Sequence, residues 1–309
     1  MRLSSSADDV RKVRVLVNPK SGLGMSFDDF WKNVERHWGG IQADVTYQFS
    51  TDIADGRRKT ERAMDDGVDA ILVAGGDGMV NSIGSVLVGT SVALGVVPTG
   101  SGNGFARHFG IPLEIPAAIR ALATARRKPI DVGFANGRPF FVTCSLAWDA
   151  AIARRFAAFP FRGIAPYVFA AAAELMTYAD QPIHAALDGG PARVYPNPIL
   201  FTVANLTQYG GGAQIAPKAR ADDGLMEMVV ALRPDLPLLL MNIVRLFNGT
   251  IDQLPQIATR RFRKLQIHRP KPTAIQLDGE LVEAGRDITI TLHPRALTVL
   301  VPRPPGDDG

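Results

Sequence analysis

Two apolar strands that each break into a glycine loop constrain this chain more than any other feature of its sequence. Ala70-Ile71-Leu72-Val73-Ala74 is a short, continuously apolar run, the pattern of a strand buried on both faces. It opens into Gly75-Gly76-Asp77-Gly78, and the apolar-periodic stretch Met79 to Leu87 follows as a helix. Val92 to Val97 repeats the arrangement. It breaks at Pro98 into Gly100-Ser101-Gly102-Asn103-Gly104, ahead of a second helical stretch, Phe105 to Phe109. Glycines between strand and helix let backbone N–H groups approach a ligand, and the helix N-terminus adds partial positive charge. Either loop alone reads as an ordinary turn. Two on successive strands, one carrying an acid and the other a Ser and an Asn, favour phosphate.

The commoner nucleotide fingerprints are absent. There is no Gly-Lys dipeptide, which excludes a Walker-type loop, and G-x-G-x-x-G fails at Asn81. The elements before these loops predict the same architecture. Val13 to Val17 reads as a strand ending in Asn18-Pro19-Lys20-Ser21-Gly22-Leu23-Gly24. A helix from Ser26 to Trp38 follows, with Ser26 as N-cap and Asp28 and Asp29 in its first turn. Val45 to Phe49 is the next strand, and a helix from Asp52 to Asp66 stops at Gly67. Alternating β and α predicts a parallel, three-layer α/β domain over residues 1–129, with ligands beyond the carboxyl ends of the strands. Asn18, Thr51 and both glycine loops all follow strand ends.

From Ile130 the pattern becomes short strands and turns. Ile130 to Phe134 and Arg138 to Cys144 flank the hairpin signal Asn136-Gly137. Further strands are predicted at 183–187, 199–204, 225–231, 265–268, 274–277, 288–292 and 297–301. An Ala-rich buried helix is predicted at 166–178. The expectation is an antiparallel β-rich domain over 130–301, followed by a disordered tail, 302–309.

Gly75-Gly76-Asp77-Gly78-Met79-Val80-Asn81 and Pro98-Thr99-Gly100-Ser101-Gly102-Asn103-Gly104-Phe105-Ala106-Arg107 together resemble the diacylglycerol kinase catalytic-domain family. That family includes bacterial lipid kinases and the sphingosine kinases. Asn18-Pro19 with Ser21-Gly22, Asp131 with Gly133, Asn136-Gly137-Arg138, Asp222-Asp223-Gly224 and Asp278-Gly279-Glu280 extend the resemblance over nearly the whole chain. The resemblance implies an ATP-binding α/β domain of the NAD kinase/diacylglycerol kinase type, a β-rich lipid-substrate domain, and an active site in the cleft between them. It also implies that the chain end packs back on the first domain.

It implies site residues too. ATP is expected at Asn18, Thr51, Gly75, Gly76, Asp77, Gly78, Met79, Val80, Asn81, Gly100, Ser101 and Asn103, with Asp77 holding Mg2+. Asp77 could instead be an Asx-turn residue satisfying its own loop. The proton acceptor falls on the 278–280 turn, at Glu280 or Asp278, with Asp77 the remaining candidate base. A structural metal is expected on Asp223 with the carbonyls of Arg220 and Leu225. Asp149, after Trp148, is the candidate lipid-headgroup contact. Two departures from the family pattern, Met79 for Thr and Gly104 for Asp, bear on substrate identity.

The remaining features bound the partners. Lys and Arg number 34 against 30 Asp and Glu, and the net charge is +4. The excess clusters at 57–59, 126–128, 154–155 and 260–264, which suits an anionic membrane surface more than nucleic acid. One cysteine, Cys144, fits a reducing compartment. No apolar leader segment is evident, so the expected location is cytoplasmic, peripheral at the inner membrane face. Leu236 to Phe247 is too short to span a bilayer and reads as core packing more readily than as a membrane-dipping helix. Five scattered histidines give no zinc pattern, and Ser101 lacks a G-x-S-x-G context. The function expected is an ATP- and Mg2+-dependent kinase acting on a diacylglycerol-like or sphingoid lipid. The alternatives are an NAD kinase-like activity and a non-catalytic lipid- or nucleotide-binding protein. The oligomeric state stays open, with a homodimer one option.

Overall fold

The computed structural model describes residues 10–18, 24–39, 43–147 and 181–303. The chain divides into two compact units, 1–130 with 295–309, and 131–294.

The first unit is an α/β layer structure. Strands β1 (Lys12–Val17), β2 (Asp44–Phe49), β3 (Ala70–Gly75) and β4 (Ala93–Pro98) are parallel, in the order β2-β1-β3-β4. Every residue of β3 and β4 is buried, so both faces of the sheet are covered there. Helix α1 (Phe27–Trp38) is capped by the Ser26 hydroxyl, which accepts from the Asp29 amide, and it buries Phe30, Val34 and Trp38. Helix α2 (Ile53–Asp65) is capped by Asp52 and ends at Gly67, where φ is +73°. α3 (Asp77–Leu87) packs on α2, and α5 (Ile115–Ala123) packs on α1; α4 (Gly104–His108) is a single turn between them in sequence. The end of the chain adds a parallel neighbour to β4, pairing Val299 with Leu94.

The second unit is antiparallel. One sheet runs Ala258–Phe262, Met226–Leu232, Pro198–Ala204, Thr143–Ser145, Ile275–Leu277, Glu280–Val282 in that order. Another pairs Asp287–Thr291 with Lys264–His268, then Ile183–Leu187 and Arg193–Tyr195. Residues of both sheets share one core, built around Phe140, Phe201, Met228, Phe262, Ile267 and Ile290. The period of two is visible in 226–232. Met226, Met228 and Val230 enter that core, while Val229 and Ala231 enter a second cluster with Ile199, Ile215, Ile251 and Leu254.

The structure differs from the sequence expectation in several places. Helix α5 occupies a stretch for which the sequence reading has no element. The strand expected over 138–144 is two short ones, Arg138–Phe140 and Thr143–Ser145. The two strands expected at 288–292 and 297–301 are one, Asp287–Val301, carrying a positive φ of 52° at Arg295. Leu236 to Phe247 is not a core element. It forms two short helices, Leu236–Met241 and Val244–Phe247, with most of their apolar side chains exposed. The helix expected at 166–178 lies outside the described residues.

Candidate active site

Both glycine loops leave the carboxyl ends of adjacent parallel strands, with Gly75 opposite Pro98 in register. They touch backbone to backbone. A Cβ on Gly100 would stand 2.6 Å from the Gly76 Cα, and one on Gly76 would stand 3.1 Å from the Gly100 Cα. Only glycine lets the two loops close to this distance. Gly75 is restricted differently: Met79 folds its sulfur over it, 2.7 Å from where a Cβ would sit. Met79 thus fills space at the loop base that a threonine would leave open.

Asp77 ties the loops together. Its Oδ2 accepts from the Gly104 amide (3.0 Å) and its Oδ1 from the Phe105 amide (3.1 Å). The carboxylate therefore satisfies the other loop, not its own. Burial pushes its pKa above the ordinary aspartate value, opposed by those amides and by the nearby Arg107 charge. Asn103, in the left-handed region at φ 50°, closes the second loop on itself. Its Oδ1 accepts from Gly100 N–H (3.0 Å) and its Nδ2 donates to Gly100 C=O (2.7 Å). Arg107 donates from Nε to the Gly102 carbonyl (3.2 Å). Ser101 is exposed, whereas Gly76, Gly78, Gly100 and Asn81 are half-buried and Val80 is buried within α3. The N-cap of α3, Gly76, provides no side-chain cap, so first-turn amides face the loop without an intrinsic acceptor. A polyphosphate fits this set: rigid glycine backbone at close approach, a helix start and a free hydroxyl.

Thr51 lies exposed at the end of β2. Its amide and hydroxyl both donate to Asp55 (3.0 and 3.3 Å). The Lys59 ammonium, with the Thr51 amide, holds that carboxylate's pKa down at about 2. Asn18, half-buried at the end of β1, donates its amide to Ala74 (3.3 Å). Residues 19–23 of that loop lie outside the described residues, as do Asp149 and Trp148.

In the second unit, Asp278 and Gly279 form a two-residue hairpin turn with φ of 48° and 93°, between Leu277 and Glu280. Positive φ at both positions is the type I′ requirement, which Asp-Gly meets at low cost. The turn points the two carboxylates to different fates. Asp278 is 6% exposed and accepts from three amides, Phe141 (2.7 Å), Val142 (2.7 Å) and Thr143 (3.0 Å). The Glu280 side chain is exposed and makes no hydrogen bond or ion pair among the described residues, yet the protein around its carboxyl withholds enough solvent to push its pKa above the ordinary glutamate value. Asp278 is built in as a structural anion. The Glu280 side chain has no such anchor among the described residues.

The 220–225 turn is held from below by a residue that the sequence marked only as part of a motif. Buried Asp131 accepts from the Gly224 amide (2.7 Å). Asn205, fully buried, donates to the carbonyls of Asp131 and Phe141, both at 2.9 Å. Nothing in local sequence distinguishes Asn205, because its partners are 64 and 74 residues away. Asp223 accepts from the Leu225 amide (3.2 Å) and pairs with Arg261, and Arg220 lies 3.9 Å from Asp222. Both Asp223 oxygens are therefore engaged, and a cation there would compete with Arg261. No cluster of three or more metal-ligating side chains occurs among the described residues.

The first unit thus carries paired glycine loops at the carboxyl ends of a parallel sheet, and the second is antiparallel. Residues 12–135 match the model for the diacylglycerol kinase catalytic domain, and 143–301 that for the YegS C-terminal NAD kinase beta sandwich-like domain. A protein of Mycobacterium tuberculosis named diacylglycerol kinase is 31% identical over 304 residues, 96% of each chain. One of Stenotrophomonas maltophilia, named "Probable lipid kinase YegS-like", is 29% identical over 88% of this chain and 90% of its own. A crystal structure of a diacylglycerol kinase from Bacillus anthracis str. Sterne superposes with TM-score 0.73 at 20% identity, covering 96% and 98% of the two chains, a likeness of fold. The chain belongs to the diacylglycerol kinase catalytic-domain family, and it is an ATP-dependent kinase of that family's lipid-phosphorylating class.

Proposed function

We propose that the chain phosphorylates a hydroxyl of a diacylglycerol-like lipid at an anionic membrane face, using ATP with magnesium. The observation that carries this reading is the contrast on the 278–280 turn, one carboxylate locked by three amides and its neighbour free with a raised pKa. Phosphoryl transfer to an alcohol needs such a group, poised to accept the hydroxyl proton as the oxygen attacks phosphorus. The backbone at 75–78 and 100–102 would hold the ATP phosphates, with Thr51, Ser101, Asn18 and Asn81 as polar neighbours. Asp77 retains lone pairs that could meet a magnesium ion, whose charge would offset that of the phosphates. The Mycobacterium tuberculosis relative favours diacylglycerol over a sphingoid acceptor.

The test is labelled ATP presented with diacylglycerol, monoacylglycerol, phosphatidylglycerol, ceramide, sphingosine and NAD. Magnesium-dependent labelling of diacylglycerol is expected. Labelling of NAD alone would transfer the chain to the NAD kinase reading, and nucleotide binding without any transfer would make it a binding protein.

The metal turn at Asp223 has its own readout. If a cation displaces Arg261 there, magnesium raises the melting temperature of the wild type but not of Asp223→Asn. Without a cation, the substitution breaks only a half-exposed ion pair, a change within about 1 kcal/mol. Melting curves with and without magnesium separate the two.

A further inference from the structure

A kinase whose acceptor resides in a bilayer must reach it, and no described helix is long and apolar enough to cross one. Twelve large hydrophobic side chains are exposed among the described residues, and half of them fall within 238–247. These are Leu238, Leu240, Met241, Ile243, Val244 and Phe247, with Met241 80%, Val244 62% and Phe247 55% exposed. The segment is seated from beneath. Leu236, Leu239 and Leu246 pack on the cluster of Ile199, Ile251 and Leu254, so the exposed side chains belong to an anchored surface. Asn242 breaks it into two turns of helix: its side chain donates to the Leu238 carbonyl (2.9 Å) and accepts from Arg245 Nε (3.2 Å). At six and four residues these helices cannot cross a hydrocarbon layer that needs about 20.

We propose that residues 236–247 are a docking surface for an anionic lipid bilayer, lying in its interface plane with Met241, Val244 and Phe247 among the acyl chains. The inference rests on the lipid-kinase reading for its choice of occupant, and charge supports that choice. Between Asp235 and Asp252 the only charged residue is Arg245. A second copy of this segment would offer Arg245 no carboxylate from residues 236–251 to pair with. Phosphate headgroups supply the missing anion, and a contiguous apolar patch with a basic residue is the composition of an interfacial anchor.

The experiment compares wild type with a Met241→Asp/Phe247→Asp double variant. Both positions are exposed and outside the candidate catalytic residues. Cosedimentation with mixed phosphatidylglycerol–phosphatidylcholine vesicles should fall at least about tenfold in the variant. The KM for vesicle-borne diacylglycerol should rise. The kcat on a dispersed short-chain diacylglycerol, the KM for ATP and the melting temperature should stay at wild-type values. Independently, Phe247→Trp should show fluorescence quenched by brominated lipids. Unchanged cosedimentation, or an unquenched tryptophan on bound vesicles, overturns the proposal. A wild type that is dimeric in solution beside a monomeric double variant overturns it as well, assigning the patch to self-association. Failure of the wild type to phosphorylate either vesicle-borne or dispersed lipid sinks the kinase reading instead, while the vesicle measurements still decide the docking surface.

Discussion

Glu280→Gln lowers kcat by roughly a hundredfold or more and leaves ATP affinity near wild type, the loss expected when a general base is removed. A fall in kcat with binding retained marks a group that acts mainly in the transition state. The raised pKa of Glu280 adds two signatures. As a base it works deprotonated, so turnover should decline as pH falls through a value above that of an ordinary glutamate. The sign for stability is opposite. A carboxyl whose folded pKa exceeds its unfolded one binds its proton more tightly in the native state, so stability drops as pH rises through that window. Glutamine, neutral throughout, removes this cost, and at neutral pH the variant should melt no lower than wild type. Asp278→Asn behaves in reverse. Hydrogen bonds to a buried charged group contribute about 1.5–3 kcal/mol each. Weakening three of them costs at least about 2 kcal/mol, roughly 4–8 °C in a unit of this size. Rate and melting temperature, measured together on both variants, assign the roles. If Asp278→Asn keeps its melting temperature and loses turnover while Glu280→Gln does neither, the assignment is inverted.

Sequence could not have separated these two carboxylates. Both lie on one turn, two positions apart, and spacing alone left either as the base. The distinction comes from amides at 141–143, more than a hundred residues earlier in the chain, which reach Asp278 and not Glu280. Asp77 is similar: its glycine neighbours announce a phosphate loop, but that its oxygens clamp the second loop is a tertiary fact. The elements of the first unit were legible because each is regular and punctuated, as with Ser26 at the start of α1 and Gly67 at the end of α2. Helix α5 could have been read. Ile115, Ala118, Ile119 and Leu122 recur at helical spacing, with Pro116 in the first turn, and all but the proline are buried. The second unit was harder for physical reasons. Ala258–Phe262 contains two exposed arginines and reads in sequence as part of the basic cluster at 260–264. It is an edge strand, where charge discourages pairing with other chains, and only Phe262 turns into the core. Asp287–Val301 was split at His293-Pro294-Arg295, a reasonable break by local chemistry. The strand continues because it gains Lys264–His268 as a partner before that point and Leu94 after it. Exposure of 238–247 was invisible for the opposite reason: apolar composition says what a segment can bury, and not whether the chain supplies anything to bury it.

The contact between the glycine loops carries the other large effect. Gly100→Ala should cut turnover by roughly a hundredfold, the penalty that about 1 Å of misplacement can exact. Its Cβ would lie 2.6 Å from the Gly76 Cα and 3.0 Å from Asn103 Oδ1, where carbon atoms rest at about 3.5–4.0 Å. Neither loop can yield alone. Gly75 and Pro98 are fixed in register, the Thr99 amide donates to the Gly75 carbonyl (3.2 Å), and Asp77 holds the Gly104 and Phe105 amides. Parting the backbones therefore strains the Asp77 clamp and spreads the amides that would face the phosphates. Gly76→Ala should act in the same direction but less, because its Cβ would meet the Gly100 Cα at 3.1 Å. Ser101→Ala removes an exposed hydroxyl from the same loop without touching that contact, and its stability should stay within about 0.5 kcal/mol of wild type. Calorimetric ATP binding, turnover and melting temperature across the three variants test the ranking. A Gly100→Ala protein that binds ATP as tightly and turns over as fast as wild type would show that the phosphates are held elsewhere, because a cradle made of these two backbones cannot survive their separation.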